Sequence, residues 1–113
     1  MNWLSFESKS DLEKIILESF NQPIAIFKHS TRCSISSVAK MRLASSWSFK
    51  DDLPIYYLDL ISFRSISNLV AEKFNVFHQS PQLLVIKDGE CVYHSSHLSI
   101  SVNEVKKTLE IKD

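Results

Sequence analysis

Apolar residues recur along this chain in two alternating rhythms, one helical and one extended. "SDLE", Ser10 to Glu13, has the Ser-x-x-Glu form that caps a helix start. Leu12, Ile15, Ile16 and Phe20 then fall at helical spacing until Asn21-Gln22-Pro23 closes the segment. "IAIF", Ile24 to Phe27, is a near-continuous apolar run suited to a strand buried on both faces. Beyond Cys33, the residues Ile35, Val38, Ala39, Leu43 and Trp47 predict a helix to about Phe49, ended by "DDLP". "IYYLDL", Ile55 to Leu60, reads as a second strand, and Ile66, Leu69, Val70 and Phe74 mark one face of a third helix. "LLVIK" and "CVYH" flank Asp88-Gly89, a strong hairpin signal. A second capping box, "SVNE" (Ser101 to Glu104), opens a last helix with Val102, Val105 and Leu109 facing inward.

The predicted order is therefore α-β-α-β-α-β-β-α. A right-handed β-α-β crossover makes the first two strands parallel, and the hairpin makes the last two antiparallel. One α/β domain over residues 1–113 satisfies this, with a central mixed four-stranded sheet flanked by helices. That is the thioredoxin-like architecture with an additional N-terminal helix. In such sheets a site forms at the carboxyl ends of the parallel strands. Cys33 follows the first strand at that end.

Composition narrows the function classes. The formal charge is +0 and the pI near 6.9, so no general attraction to nucleic acid or anionic membrane is expected. The chain has a single glycine, Gly89, and neither GxGxxG nor GxxxxGK[ST], which argues against nucleotide binding. The N-terminal "MNWLSFESKSDLEK" lacks the basic and apolar regions of a secretory signal, and no apolar run reaches a membrane span. The expected compartment is the cytoplasm, where the two cysteines, Cys33 and Cys91, would stay reduced.

The chemistry concentrates in "IFKHSTRCSIS", Ile26 to Ser36. A hydrophobic strand runs out into polar residues and then offers one cysteine at the head of a helix. There the first-turn N–H groups and the positive dipole end favour the thiolate, the form that attacks disulfides. Arg32, Lys28 and His29 would add positive potential. Ser36, three residues on, would turn its hydroxyl back to donate to that thiolate, but it cannot form a disulfide with it. Free cysteines are more often small buried residues; the polar run from Lys28 to Ser37 argues otherwise here. The second constellation is "QSPQ", Gln79 to Gln82, before the third strand. Proline at a strand entrance has an innocent explanation, since no ladder N–H is needed there. In a thioredoxin fold the same place holds a cis-proline facing the active cysteine, with the Ser80 backbone free to pair with an extended substrate.

Other candidates are weaker. Cys91, His94 and His97 in "CVYHSSH" look like a metal triplet, but Cys91 and His94 point to opposite faces of a strand, so no metal site is expected. Cys91 reads as a strand residue in or near the core. His29 and His78 read as strand-end or loop residues, and Trp3 and Trp47 as core or core-edge anchors.

"IAIFKHSTRCSIS" together with "FHQSPQLLVIKDGECVYHSSH" resembles the YtxJ-like monothiol bacilliredoxins, a thioredoxin-fold family of the bacillithiol system. The likeness covers nearly the whole chain, and its most specific part is Lys-His-Ser-Thr-x-Cys-x-Ile-Ser joined to Ser-Pro-Gln. The resemblance implies a thiol-disulfide oxidoreductase in which Cys33 is the nucleophile removing bacillithiol from S-bacillithiolated client proteins. Ser36 would hydrogen-bond the thiolate, and Arg32, Ser34, Ser80, Pro81 and Gln82 would contact substrate. No bound cofactor is implied; bacillithiol is the low-molecular-weight co-substrate. The family usually carries proline after the cysteine where this chain has Ser34, a change expected to preserve activity while altering thiolate stability.

Two other readings compete. A monothiol glutaredoxin working with glutathione would show Cys-Gly-Phe-Ser and a late glycine pair, and this chain has neither. A non-catalytic thioredoxin-fold interaction module would bind clients along Ser80-Pro81 with Cys33 incidental.

Overall fold

The computed structural model describes residues 1–49 and 52–110. Lys50 and Asp51, the latter part of the expected break "DDLP", lie outside the described residues, as does the chain beyond 110. The element order is β1 (Trp3–Ser5), α1 (Lys9–Glu18), β2 (Ile24–His29), α2 (Ser34–Ser46), β3 (Ile55–Asp59), α3 (Arg64–Phe74), β4 (Gln82–Lys87), β5 (Glu90–Ser96), a short 3-10 turn (His97–Ser99) and α4 (Val102–Leu109).

The sheet has five strands rather than four, in the order β1-β3-β2-β4-β5. β2 and β3 are parallel, with Ala25 opposite Ile55 and His29 opposite Asp59. β4 runs antiparallel to β2, pairing Gln82 with Lys28, and the β4–β5 hairpin completes one edge. The strand missing from the sequence reading is β1, which pairs in parallel with β3 from Trp3 opposite Ile55 to Ser5 opposite Tyr57. Three residues are too few to display a period.

Period-two alternation divides the core between the two faces of the sheet. On one face Ile24, Ile26, Leu84 and Ile86 pack with Leu12 and Ile15 of α1 and Val70 and Phe74 of α3. On the other, Ala25, Phe27, Leu83 and Val85 pack with Ala39 and Leu43 of α2 and Val102 and Val105 of α4. β2 is buried along its whole length, polar end included. No helix among the described residues is long and apolar enough to cross a membrane.

Local signals mostly hold. Ser101 Oγ accepts the Glu104 N–H at 3.3 Å, as its capping box predicts. Asp88 and Gly89 both take positive φ, 53° and 78°, which suits the twist of a two-residue hairpin. The first helix starts earlier than "SDLE" suggests. Ser8 is its N-cap, with Oγ accepting the Asp11 N–H at 3.1 Å while Asp11 Oδ2 accepts the Glu7 N–H at 2.9 Å. Two serines two residues apart offer competing caps, and Ser8 wins because Asp11 reaches back from the position a capping box needs. α2 stops at Ser46 and not near Phe49; Trp47 is the cap residue and packs edge-on against Phe49 at 4.8 Å.

Candidate active site at the head of α2

β2 ends at His29, and the chain turns through Ser30, Thr31 and Arg32 into Cys33, the N-cap residue of α2. The turn is closed by the Cys33 N–H donating to Ser30 O at 3.2 Å. The Cys33 C=O then accepts the first helical bond from Ser37 N–H at 3.1 Å. A serine or aspartate at an N-cap would normally use its side chain to satisfy a first-turn N–H. Cys33 makes no such bond. Its half-buried sulfur is therefore left beside the positive end of the helix with no hydrogen bond to another described residue.

The other end of the site is the loop before β4. Ser80-Pro81 is a cis peptide, and Pro81 is buried with its C=O accepting the His97 N–H at 2.9 Å. Because Gln82 pairs with Lys28, Pro81 lies one step further along, beside His29 and the loop that leads to Cys33. The register brings the two sequence constellations to the same end of the sheet.

The remaining expected site residues separate into groups. Arg32 and Ser34 are exposed on either side of Cys33 in the chain, with Ser34 at the first helical position. Ser80 is half-buried, and its hydroxyl oxygen is shielded from solvent with no partner among the described residues. Gln82 was expected to contact substrate but is only 1% exposed. Its amide Nε2 donates to Phe77 O at 3.0 Å, so the side chain braces the loop instead of presenting itself. The reason is register: Gln82 occupies the inward face of β4, in line with Leu84 and Ile86.

Ser36 is the main correction. The sequence places its hydroxyl on the sulfur, whereas the structure buries it fully and turns it to the end of β2. Ser36 Oγ accepts the Ser30 N–H at 3.0 Å and lies 2.6 Å from His29 Nδ1. The third position of a helix whose first turn docks against a strand end faces that strand, and two polar groups await it there. His29 was not read as a partner of this serine. It is 4% exposed, stacked on Phe27 at a centroid distance of 5.8 Å and tilted against Tyr57 at 5.5 Å. Burial, and next the Lys40 ammonium, hold its imidazole below the ordinary histidine range, opposed by Asp59 and by hydrogen bonding to Ser36.

Lys28 also departs from expectation. It alternates with His29 and so projects to the opposite face of the sheet from α2. There its ammonium is buried, donating to Ser67 O at 3.1 Å and lying 3.3 Å from His78 Nδ1. Ser67 Oγ reaches the same nitrogen at 3.2 Å. Burial pushes the Lys28 pKa down to about 8. This cluster joins β2, α3 and the loop leading to Pro81. Two signals in the sequence could have located it: a lysine inside an apolar run, and a histidine just before "QSPQ".

Cys91 is half-buried in β5 against the α1/α3 face of the core, as expected of a packed strand residue. Burial pushes its thiol up, so it is a poor nucleophile at neutral pH.

A parallel strand end, a helix-capping cysteine without a second thiol three residues on, and a buried cis-proline at the same end of the sheet define a class: thioredoxin-fold proteins of thiol-disulfide exchange. The family described as Monothiol bacilliredoxin BrxC matches residues 5–105. The chain belongs to that family. Among solved structures it is similar to a thioredoxin-fold protein described as a candidate oxidoreductase, at 30% identity and a TM-score of 0.82, covering 94% of this chain and 92% of that one. It also superimposes on the Fasciola hepatica thioredoxin (19% identity, TM-score 0.71, 95% and 96% covered) and on the Malassezia sympodialis thioredoxin (12%, 0.73, 96% and 89%). These two more distant likenesses show the fold alone.

Proposed function

We propose that the protein is a monothiol exchanger that removes bacillithiol from mixed disulfides on client proteins, with Cys33 as nucleophile. The observation that carries this reading is the pairing of an N-cap cysteine with a serine, Ser36, at the position where a dithiol would keep its resolving cysteine. The Cys33 thiolate attacks the bacillithiol sulfur of the mixed disulfide. A new S–S bond forms between Cys33 and bacillithiol as the old one breaks, and the client leaves as a thiolate that takes a proton from water. A second low-molecular-weight thiol then attacks the adduct, leaves as part of a small disulfide, and returns Cys33 to its reduced state. No bound cofactor takes part, and bacillithiol is substrate.

Three features support a protein client. Ile35 and Val38 on α2 and Phe77 in the loop before Pro81 are exposed apolar residues, Phe77 at 91%. A client strand reaching the sulfur would cover them. In this reading the exposed Arg32 and Ser34 would meet the polar part of the substrate, Ser80 would do so only through its backbone because its hydroxyl is shielded, and Pro81 would shape the surface between. The working compartment in this reading is the cytoplasm, where bacillithiolated clients would be encountered.

The test is transfer followed by intact mass. Reduced protein, its Cys33→Ser variant and a bacillithiolated model client are mixed, with a glutathionylated client in parallel. Adduct on the wild type and none on the variant is the expected result. Preference for the glutathione adduct would make the protein a glutaredoxin-like exchanger. No transfer from either client would leave a thioredoxin-fold binding module.

A further inference from the structure

The loop from Val76 to Ser80, which leads into the cis peptide at Pro81, rests on two buried side chains from neighbouring strands. Lys28 of β2 and Gln82 of β4 lie opposite each other in the register. Gln82 Nε2 donates to Phe77 O at 3.0 Å, and the Lys28 ammonium lies 3.3 Å from His78 Nδ1. Lys28 is 0% exposed, whereas the His78 ring it holds is open to solvent. An ammonium only donates. His78 Nδ1 is therefore bare and accepts, with the ring hydrogen on Nε2. Ser67 Oγ, 3.2 Å from the same nitrogen, can donate or accept, so it suits either state of the ring. Lys28 suits only the neutral one. A proton on Nδ1 would face an N–H of Lys28 and set a second positive charge against a buried first. The ammonium is also anchored to Ser67 O at 3.1 Å, so the loop is the partner that must give way.

We propose that Lys28 is a positioning residue for client recognition, its buried ammonium holding His78, and with it the loop that leads into Pro81, only while the His78 ring is uncharged. The proton that breaks the contact comes from solvent and returns there. Burial, then Lys28 of β2 and Arg64 at the start of α3, hold the ring below the ordinary histidine range, and Gln82 from β4 is neutral. The contact is thus complete above that range and is lost as pH falls through the lowered value of His78. Gln82 keeps its hold on Phe77 O, so release is confined to His78, Gln79 and Ser80. That stretch includes the Ser80 backbone, with which a client strand would pair. A small disulfide needs the sulfur but not the loop. The contact therefore selects clients over small disulfides, an inference that rests on the exchange reading of Cys33.

The test compares wild type, Lys28→Met and His78→Asn, the last supplying an oxygen acceptor that takes no proton. Transfer rates to each reduced protein are measured against pH from a bacillithiolated model client and from the symmetric disulfide of bacillithiol. Their ratio cancels the titration of the sulfur. Nuclear magnetic resonance on the same proteins follows the His78 ring and the Phe77, Gln79 and Ser80 amides. One pH unit below the His78 midpoint about a tenth of the molecules keep the contact, so the wild-type ratio should fall about tenfold. In Lys28→Met the ratio should be low already at neutral pH and fall no further, and in His78→Asn it should be flat with pH. A wild-type ratio that ignores the His78 titration would overturn the proposal, as would an equal fall in Lys28→Met. No transfer from either disulfide at any pH would remove the exchange reading instead. The amides would then still decide the contact: Gln79 and Ser80 shifts that track His78 in wild type and not in Lys28→Met support it, and shifts alike in both refute it.

Discussion

Single side chains decide how this site differs from a dithiol one. Ser36 supplies the anchor between α2 and β2 through Ser30 and His29, and it withholds a resolving thiol. Replacing it by cysteine tests both roles. Ser36→Cys is expected to form an internal disulfide with Cys33 on mild oxidation, seen as loss of free thiol without dimerisation. It should also cost about 1–2 kcal/mol in denaturant unfolding of the reduced protein, because a buried N–H loses its oxygen acceptor. Lys28 makes a separate prediction. Its ammonium is buried without a carboxylate, and its pKa of about 8 lies below the unfolded value of 10.5. Between those values the unfolded chain binds more protons, so stability rises with pH as the folded lysine discharges. Relative to Lys28→Met, the wild type should gain about 2 kcal/mol from pH 8 to 10. Taking the difference removes Cys91, Tyr56 and Tyr57, whose raised values act in the opposite direction. A difference that stays flat with pH would show that Lys28 is not buried in its charged form. Neither the Ser36 anchor nor the Lys28 cluster was legible in the sequence. Each needs partners, 7 residues away for Ser36 and 39 and 50 for Lys28, that only the folded topology brings into contact.

At the scale of elements, the first turn of α2 and the β4–β5 hairpin carry the sharpest expectations. Ser34 is the first residue of α2, where an N–H has no intrahelical partner and proline's fixed φ suits the helix. Ser34→Pro should therefore fold and gain about 0.4–1 kcal/mol by thermal unfolding, through a less flexible unfolded chain. A loss of stability would mean that the Ser34 N–H serves a partner here. The hairpin tip is tied to the end of α1: Asp88 N–H donates to Ser19 O at 2.8 Å, and Gly89 N–H donates to Ser19 Oγ at 2.9 Å. Ser19 is 1% exposed and also donates to Ile16 O at 2.6 Å. Ser19→Ala should cost about 1–3 kcal/mol and selectively speed hydrogen exchange at Gly89. Gly89→Ala should cost about 1–2 kcal/mol, mainly from its φ of 78°. The 2.9 Å approach of its added carbon to the tip of Phe20 can be relieved, since that ring is 58% exposed. Elements marked by chemistry with a short reach, such as Asp88-Gly89 and the Ser101 cap, were legible. β1 was not, because its existence depends on β3 offering an edge.

For the whole molecule, alternation of helical and extended patterns was enough to place Cys33 at the carboxyl end of a central parallel strand. Pro81 arrives at the same end of the sheet from a distant part of the chain because β4 pairs antiparallel with β2. The overall plan was legible for that reason: strand burial, crossover handedness and one hairpin leave few alternatives. What the plan does not contain is the direction in which each polar side chain turns once it is there. Lys28 and His29 are adjacent in the chain, yet they serve opposite faces of the sheet. One pins the proline loop from beneath, and the other holds the serine under the cysteine.

A monothiol exchanger takes and holds the adduct on a single sulfur. One equivalent of bacillithiolated client is mixed with reduced protein, quenched in acid and digested, and the modified cysteine is mapped by mass. Bacillithiol on Cys33, an unmodified Cys91, and client released as free thiol in equal amount are the expected result. Adduct on Cys91, a Cys33–Cys91 disulfide, or a client that keeps its bacillithiol would rule out monothiol exchange at Cys33.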